Sequence, residues 1–231
     1  MVVGLDISPY QPTTIKPNNF EFVKGNVQER LPFDDNTFDF VFQRFLVFGL
    51  IKDKCPDVMN ELVRVLKPGG FLELCEPSNV FDAGPVTRRL WDCGVYLAVI
   101  ITVIIIALFV YLHNVIFNYH EEYEILEELG SDFNLCQKLE AYCQNQGYLE
   151  NIKKEVKRVY YGPVYNNAEL SKAILNNIIS VYASLKPILT KKMQISDEEY
   201  DELTKTSVKE VVEHNSYFQI VRVYATKVIH E

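Results

Sequence analysis

Residues 31–41 read Leu-Pro-Phe-Asp-Asp-Asn-Thr-Phe-Asp-Phe-Val, and residues 66–74 read Leu-Lys-Pro-Gly-Gly-Phe-Leu-Glu-Leu. In the first stretch, Pro32 and the polar cluster 34–36 predict a tight turn. The nearly all-apolar run Phe38–Phe42 then predicts a short strand buried on both faces of a parallel sheet. In the second stretch, a helix ending at 66–67 meets a Pro-Gly-Gly breaker, and Phe71–Cys75 predicts another strand. Strand, helix, glycine turn and strand make a βαβ unit.

The two stretches, at this spacing, resemble the second half of a class I S-adenosylmethionine-dependent methyltransferase domain, of the type named after ubiquinone and sterol methylation. The resemblance implies an α/β fold with a Rossmann-like sheet. It also implies that four strands, 2–7, 20–27, 38–42 and 71–75, lie side by side in one layer. S-adenosylmethionine is the cofactor that the resemblance implies.

The family's ribose-binding acid has a counterpart near the start of the chain. Val2–Ile7 predicts a short strand that ends in an acid, and such an acid in nucleotide-binding sheets accepts hydrogen bonds from ribose hydroxyls. By resemblance, Asp6 binds the ribose and Ile7 faces the adenine. An ordinary strand-end aspartate that caps the next turn is the alternative.

Two further segments match cofactor-binding positions of the family. At the end of the strand 20–27 the family usually has an aspartate, whereas this chain has Asn26, whose carbonyl can accept a hydrogen bond without charge assistance. The backbone amide of Val27 is expected to address a ring nitrogen of adenine. The backbone of Gln43 is expected to contact the methionine end of the cofactor.

The family's Gly-rich loop, which follows its first strand, has no counterpart in this sequence. We therefore expect an N-terminally truncated domain that lacks its first strand, which lies in the family between the second and the fourth. Hydrogen-bonding groups on both neighbours then lose their partners, at a cost of about 1–3 kcal/mol for each buried group. We expect cofactor binding and activity to be impaired for this reason.

The segment 95–112 is apolar, uncharged and long enough for a transmembrane helix. A single membrane span would separate strands that must share one sheet, unless the segment re-enters the same side. A buried helix would need partners on every face. A third possibility is a translated non-coding insertion such as a retained intron, which the Ile and Val enrichment without flanking Lys or Arg favours. The sequence thus divides into a cofactor-binding half, 1–92, an anomalous insertion, 93–118, and a C-terminal half, 119–231.

The C-terminal half predicts helices and a closing hairpin. Residues 119–129 predict an acidic helix, and 132–146 predicts a helix with Phe133, Cys136, Leu139 and Tyr142 or Cys143 on one face and Gly147 as its stop. Alternating apolar residues in 149–161 and 217–229 predict the antiparallel hairpin that closes the family's sheet. Between these strands, 165–215 predicts an inserted pair of helices, 169–189 and 196–213. Ser196 and Glu199 form a capping box, and such a pair often covers the active site in the family.

Composition narrows the remaining possibilities. The net charge of −8 and the scattered Lys and Arg residues argue against a nucleic-acid partner. Five cysteines without metal-ligand spacing favour a reducing, cytoplasmic compartment and no metal site. Cys75 and Cys136 are expected in the core. Membrane association is expected only if 95–112 is a real translated segment.

Methyl transfer from S-adenosylmethionine to a small-molecule or protein acceptor is the leading prediction. Alignment of nucleophile and sulfonium suffices for many such transfers, so the catalytic residues stay unknown. A non-catalytic remnant or a membrane-tethered interaction protein is the alternative. Nicotinamide-dinucleotide binding shares the strand-end acid but does not account for Pro-Gly-Gly before a strand.

Overall fold

The computed structural model describes residues 1–8, 17–46, 49–92, 135–163 and 168–229. The described strands are β1 (Val2–Asp6), β2 (Phe20–Lys24), β3 (Phe38–Arg44), β4 (Leu66–Phe81), β5 (Leu149–Tyr160) and β6 (Tyr217–Lys227). The described α-helices are α1 (Cys55–Val65), α2 (Pro85–Leu90), α3 (Leu135–Gln146), α4 (Ala168–Met193) and α5 (Asp197–Glu213), and a 3₁₀ turn, Lys52–Lys54, precedes α1. The mixed α/β fold class is confirmed.

The six strands form two hydrogen-bonded sheets. One sheet holds β1 and β2, which run parallel. The other has the order β3-β4-β6-β5, in which β3 and β4 are parallel and the remaining pairs are antiparallel. The expected single layer is therefore interrupted between β1 and β3, which are not paired in the described part of the chain. This is the position at which the sequence predicts a missing strand.

The polar turn before β3 is fixed by Arg64 on α1. Its guanidinium donates to the carbonyl oxygens of Leu31 and Phe33 at 3.1 and 2.8 Å and to Asp35 at 2.7 Å. Arg64 also contacts Glu61 at 2.8 Å, and this hydrogen bond lowers the pKa of Glu61. Charge-assisted bonds of this kind are stronger than neutral ones. The quoted stretch is thus held against the helix that it precedes in the βαβ unit.

The Pro-Gly-Gly segment lies inside a strand, which differs from the prediction. Helix α1 ends at Val65 and β4 begins at once with Leu66, so the expected breaker between helix and strand is wrong. The irregularity is found instead in the pairing of β4 with β3, because the register of the two strands shifts between Phe38 and Phe40. Gly69 has φ of +77°, a conformation that glycine adopts without steric cost.

One apolar core lies between the larger sheet and helices α1 and α3. Its buried members include Val58 and Leu62 of α1, Leu139 of α3, and Leu74 of β4. Leu5 of β1 packs against the same core, which ties the smaller sheet to the larger one. Helix α1 is strongly amphipathic, as its buried residues recur at helical spacing. Cys136 is buried as expected, whereas Cys75 is only half-buried.

A second core joins α2, α4 and α5. It contains Trp91, Tyr161, Tyr182 and Tyr200 among aliphatic side chains. The predicted capping box is confirmed at its first half, because the Glu199 N–H donates to Ser196 Oγ at 3.1 Å. The inserted pair of helices between the hairpin strands is confirmed as α4 and α5.

The C-terminal hairpin closes the larger sheet as predicted. β5 and β6 pair antiparallel, and β6 lies between β5 and β4. Gly147 has φ of +85°, which confirms it as the stop of α3. Lys227 at the end of β6 donates to the carbonyl oxygens of Val63 and Leu66 at 2.8 and 2.7 Å. A cation at the end of α1 satisfies carbonyls that the helix leaves without partners.

Several predictions lie outside the described residues. These are the apolar segment 95–112, the acidic helix 119–129 and Phe133. Within the described ranges, none of the helices has the length and apolar character that a membrane span requires.

Candidate functional site

Parallel pairing brings the carboxyl ends of neighbouring strands together. Asp6 at the end of β1 lies opposite Lys24 of β2, and Arg44 at the end of β3 lies opposite Cys75 of β4. In open α/β sheets, ligands bind in the crevice outside these ends, where the strand order changes direction. The expected cofactor residues lie at or just after the carboxyl ends of β1, β2 and β3.

Asp6 is exposed and closes a short turn. Its Oδ1 accepts from the Ser8 N–H at 2.8 Å, and its backbone carbonyl accepts from the Gly25 N–H at 3.0 Å. An ionised carboxylate has about four acceptor sites, so this turn leaves capacity for ligand hydroxyls. Ile7 is 63% exposed, which suits an apolar side chain that covers a ring.

Asn26 also closes a turn. Its Oδ1 accepts from the Gln28 N–H at 3.0 Å, and its Nδ2 donates to Glu29 at 3.3 Å. The carbonyl oxygen has a second lone pair for a ligand amine, although the first already holds the turn. The side chain of Val27 packs against the core and fixes the position of its backbone.

Gln28 joins the loop after β2 to the loop after β3. Its Nε2 donates to the Gly49 carbonyl at 3.0 Å, and its Oε1 accepts from the Ile51 N–H at 2.8 Å. This two-way contact links the ends of the two sheets where hydrogen bonding between β1 and β3 is absent from the described structure. This contact could not be predicted from the sequence, because a glutamine in a turn has no characteristic spacing from its partner.

Gln43, one residue before the end of β3, lies beside Glu76 of β4. Gln43 is 7% exposed and Glu76 is inaccessible to solvent. The Gln43 Nε2 donates to Glu76 Oε1 across 3.4 Å, and the Leu46 N–H donates to the same oxygen at 3.0 Å. The sequence predicts only a backbone role for Gln43, whereas the structure places its side chain in the buried part of the site.

Glu76 was not predicted as a site residue. The pattern that singled out Asp6, an acid directly after an apolar strand, occurs again after Phe71–Cys75. That signal could have identified Glu76, because the ends of adjacent parallel strands meet at one edge of the sheet. Its burial could not have been predicted from one sequence.

The site presents mainly hydrogen-bond acceptors. Asp6 and Asn26 lie at or just after the ends of β1 and β2, and Gln43 and Glu76 lie in the larger sheet where β3 ends beside β4. Carboxylate and amide oxygens bind hydroxyl, amine and ammonium groups. No cluster of three or more metal-ligating side chains occurs within the described ranges.

Residues 1–74 match the family model described as a methyltransferase domain. The resemblance to class I S-adenosylmethionine-dependent methyltransferases is confirmed over this part of the chain. Assignment to the ubiquinone and sterol type, and the truncation, stay predictions.

Among curated proteins, the chain is similar to the N-methyltransferase verN of Clonostachys rogersoniana. The two are 34% identical over 79 residues, which are 33% of this chain and 28% of that protein. The chain is also 45% identical over 65 residues to a demethylmenaquinone methyltransferase of Bacillus pumilus, covering 27% of this chain and 25% of that protein. The chain thus spans less than a third of either relative.

Solved structures resemble the chain more loosely. A phosphoethanolamine N-methyltransferase 2 of Haemonchus contortus, in complex with phosphomonomethylethanolamine and S-adenosylhomocysteine, is 15% identical with a TM-score of 0.40. The alignment covers 91% of this chain and 38% of that one. The [4+2]-cyclase SpnF has a TM-score of 0.42 at 13% identity, over 91% of this chain and 58% of that one. The fold assignment rests on the strand order given above and not on these scores.

Proposed function

We propose that this chain binds S-adenosylmethionine and serves methyl transfer to a small-molecule or protein acceptor. The observation that carries the proposal is the location of the family-matched residues at the carboxyl ends of parallel strands, joined across the two sheets by Gln28. Nucleic acid is not the acceptor, because the net charge of −8 opposes a phosphate track.

The residues that hold the cofactor follow from their positions. Asp6 accepts from the ribose hydroxyls and Ile7 covers the adenine. Asn26 accepts from the adenine amine, and the backbone N–H of Val27 donates to a ring nitrogen. The Gln43 backbone contacts the amino-acid end. Three observations support these roles. Asp6 has acceptor capacity left for ligand hydroxyls, and Ile7 is exposed and can cover a ring. The buried amide oxygen of Gln43 has no donor in the described structure.

The bound cofactor supplies an electrophilic methyl group on a sulfonium. The chain itself orients the two reactants, and alignment alone provides much of the rate in such reactions. We assign cofactor binding to residues 1–92 and coverage of the acceptor to the helices within 165–215, with 93–118 as an insertion between the halves. Five cysteines without metal-ligand spacing support a cytoplasmic location.

Weak cofactor binding is part of the proposal. β1 and β3 have no hydrogen-bonded strand between them in the described structure. The same break supports the alternative function, a non-catalytic protein that keeps the fold of a methyltransferase without its turnover.

Isothermal titration with S-adenosylhomocysteine separates the two functions. We expect little heat from this chain, and clear binding when an upstream strand and Gly-rich loop from a relative are fused ahead of Val2. Absence of binding in the extended protein would reject the cofactor role and leave the non-catalytic alternative. Replacing Asp6 by Asn in the extended protein is the internal control, because it should weaken binding without unfolding the chain.

A further inference from the structure

Glu76 connects two parts of the site through one oxygen atom. Glu76 Oε1 accepts from the Leu46 backbone N–H at 3.0 Å and from the Gln43 side chain at 3.4 Å. The first contact holds the turn after β3, and the second, although long for a strong hydrogen bond, orients the amide of Gln43. A carboxylate can only accept, so the amide must turn its NH₂ group toward Glu76.

This orientation points the amide oxygen of Gln43 away from Glu76. Gln43 Oε1 is buried and has no hydrogen-bond donor in the described part of the structure. Rotating the amide by 180° would not help, because two oxygens would then face each other. A buried acceptor without a donor costs about 1–3 kcal/mol, and most such atoms in native proteins have a partner.

The turn itself is held in a costly conformation. Phe45 has φ of +55°, which is rare for a bulky residue and costs about 1–2 kcal/mol. Its N–H donates to the Cys75 carbonyl at 3.0 Å, so neighbouring groups on β4 enforce the conformation. Such strain persists where surrounding structure fixes it and is frequent at ligand sites.

We propose that Glu76 is a positioning residue and that Gln43 Oε1, oriented by it, accepts a hydrogen bond from the ammonium group at the amino-acid end of the bound cofactor. This rests on the proposed function and extends it, because only the Gln43 backbone was expected to contact that end. An ammonium group has three N–H donors and no acceptor, so it can supply the donor that Gln43 Oε1 lacks in the described structure. Glu76 itself need not touch the ligand.

The test uses the full chain, labelled with ¹⁵N and titrated with S-adenosylhomocysteine by NMR, which measures binding as weak as millimolar. We expect Gln43→Leu to weaken binding about tenfold, as the loss of one hydrogen bond to a charged group requires. Glu76→Leu should weaken binding as much and should also accelerate hydrogen exchange at the Leu46 N–H. Glu76→Gln can keep both contacts through its single carbonyl oxygen and should restore slow exchange at Leu46.

Asn177 provides the matched control. It lies on α4, is buried, and also has an amide oxygen with no donor in the described structure. Asn177→Leu should leave S-adenosylhomocysteine binding and Leu46 exchange unchanged, which separates the site from a general effect of a buried amide.

The outcomes distinguish this inference from the proposed function. Unchanged binding in Gln43→Leu would overturn the acceptor role of Gln43, and unchanged Leu46 exchange in Glu76→Leu would overturn the positioning role of Glu76. If the unaltered chain binds no S-adenosylhomocysteine at millimolar concentration, the acceptor role is rejected for this chain. The Leu46 exchange rates still decide the positioning role in that case.

Discussion

The two sheets of this molecule are stabilised in different ways. β1 and β2 have five residues each, and none of these residues is fully buried. In the larger sheet, β4 pairs on both sides and carries the inaccessible side chains of Leu72 and Leu74. In the described structure, the smaller sheet is tied to the rest through Leu5, which packs against the core, and through the loop contacts of Gln28.

The candidate site contains residues from both sheets, so the difference in burial between the sheets bears on ligand binding. Asp6 and Asn26 lie on the less stable part, whereas Gln43 and Glu76 lie on the more stable part. Regions with few buried apolar contacts open locally at low cost, and a ligand that binds only the closed form stabilises it. Cofactor binding should thus order β1 and β2 more than the rest of the protein.

The largest expected effect on stability is the difference between a Leu→Ala substitution in the larger sheet and one in the smaller sheet. Leu74→Ala in β4 should lower the free energy of unfolding by about 2–5 kcal/mol, because it leaves a cavity in a fully buried position. Leu5→Ala in β1 should cost only about 1 kcal/mol, since its side chain is half-buried. Urea unfolding followed by circular dichroism measures both. Equal losses would show that the two sheets share one core of uniform stability.

A smaller effect is expected where α2 meets the helical pair. Glu210 of α5 accepts from the N–H groups of Val86 and Thr87, at 3.2 and 2.8 Å, at the start of α2. Burial alone would raise the pKa of Glu210, but these hydrogen bonds outweigh it and lower the pKa. Glu210→Gln keeps one carbonyl and turns an NH₂ group toward a donor, so it should cost about 2 kcal/mol.

The lowered pKa of Glu210 fixes the sign of the pH dependence. A group whose pKa is depressed on folding stabilises the protein above its unfolded pKa, near 4.3, and loses that contribution as the pH falls through the folded value. The stability gap between the unaltered protein and Glu210→Gln should be constant at neutral pH and shrink in acid. The exposed Glu213 on the same helix supplies the control, because Glu213→Gln should change little at any pH. A gap that widens in acid would contradict this account.

Local patterns predicted much of this fold. The turn at 34–36 is confirmed by the left-handed Asn36, and the capping box at Ser196 by its contact with Glu199. Alternating apolar residues predicted the antiparallel pair β5 and β6, and Gly147 was correctly predicted to end α3. Each of these signals spans only a few residues, and turn residues, capping residues and the strand period can be recognised in so short a stretch.

Contacts between distant residues could not be predicted in the same way. Glu210 and Thr87 are 123 positions apart, and nothing in either segment specifies the other. The strand through Pro68-Gly69-Gly70 was missed because these residues fall at the register shift between β3 and β4, an irregularity that depends on a distant strand and not on local propensity. For the candidate site, resemblance supplied Asp6, Asn26 and Gln43, but the Gln43 side chain depends on its long-range contact with Glu76.

Substitution of Asp6 is expected to have the smallest effect on stability and a large effect on cofactor binding. Its carboxylate is exposed and contacts only the adjacent turn in the described structure, so Asp6→Asn should change the free energy of unfolding by less than about 0.5 kcal/mol. Asparagine keeps a carbonyl for the Ser8 N–H but loses the charge that strengthens bonds to ribose hydroxyls. We expect S-adenosylhomocysteine to bind about tenfold more weakly, measured by NMR titration of the full chain.

Asp34 is the matched control for this prediction. It is also exposed and lies in a polar turn, but on the approach to β3, at the opposite end of the strand from the candidate site. Asp34→Asn removes the same charge and should leave S-adenosylhomocysteine binding unchanged. Equal weakening in both variants would mean that net charge governs the affinity, and the ribose role of Asp6 would then be rejected. A selective loss in Asp6→Asn would show that the less stable sheet contributes a specific ligand contact despite its few buried residues.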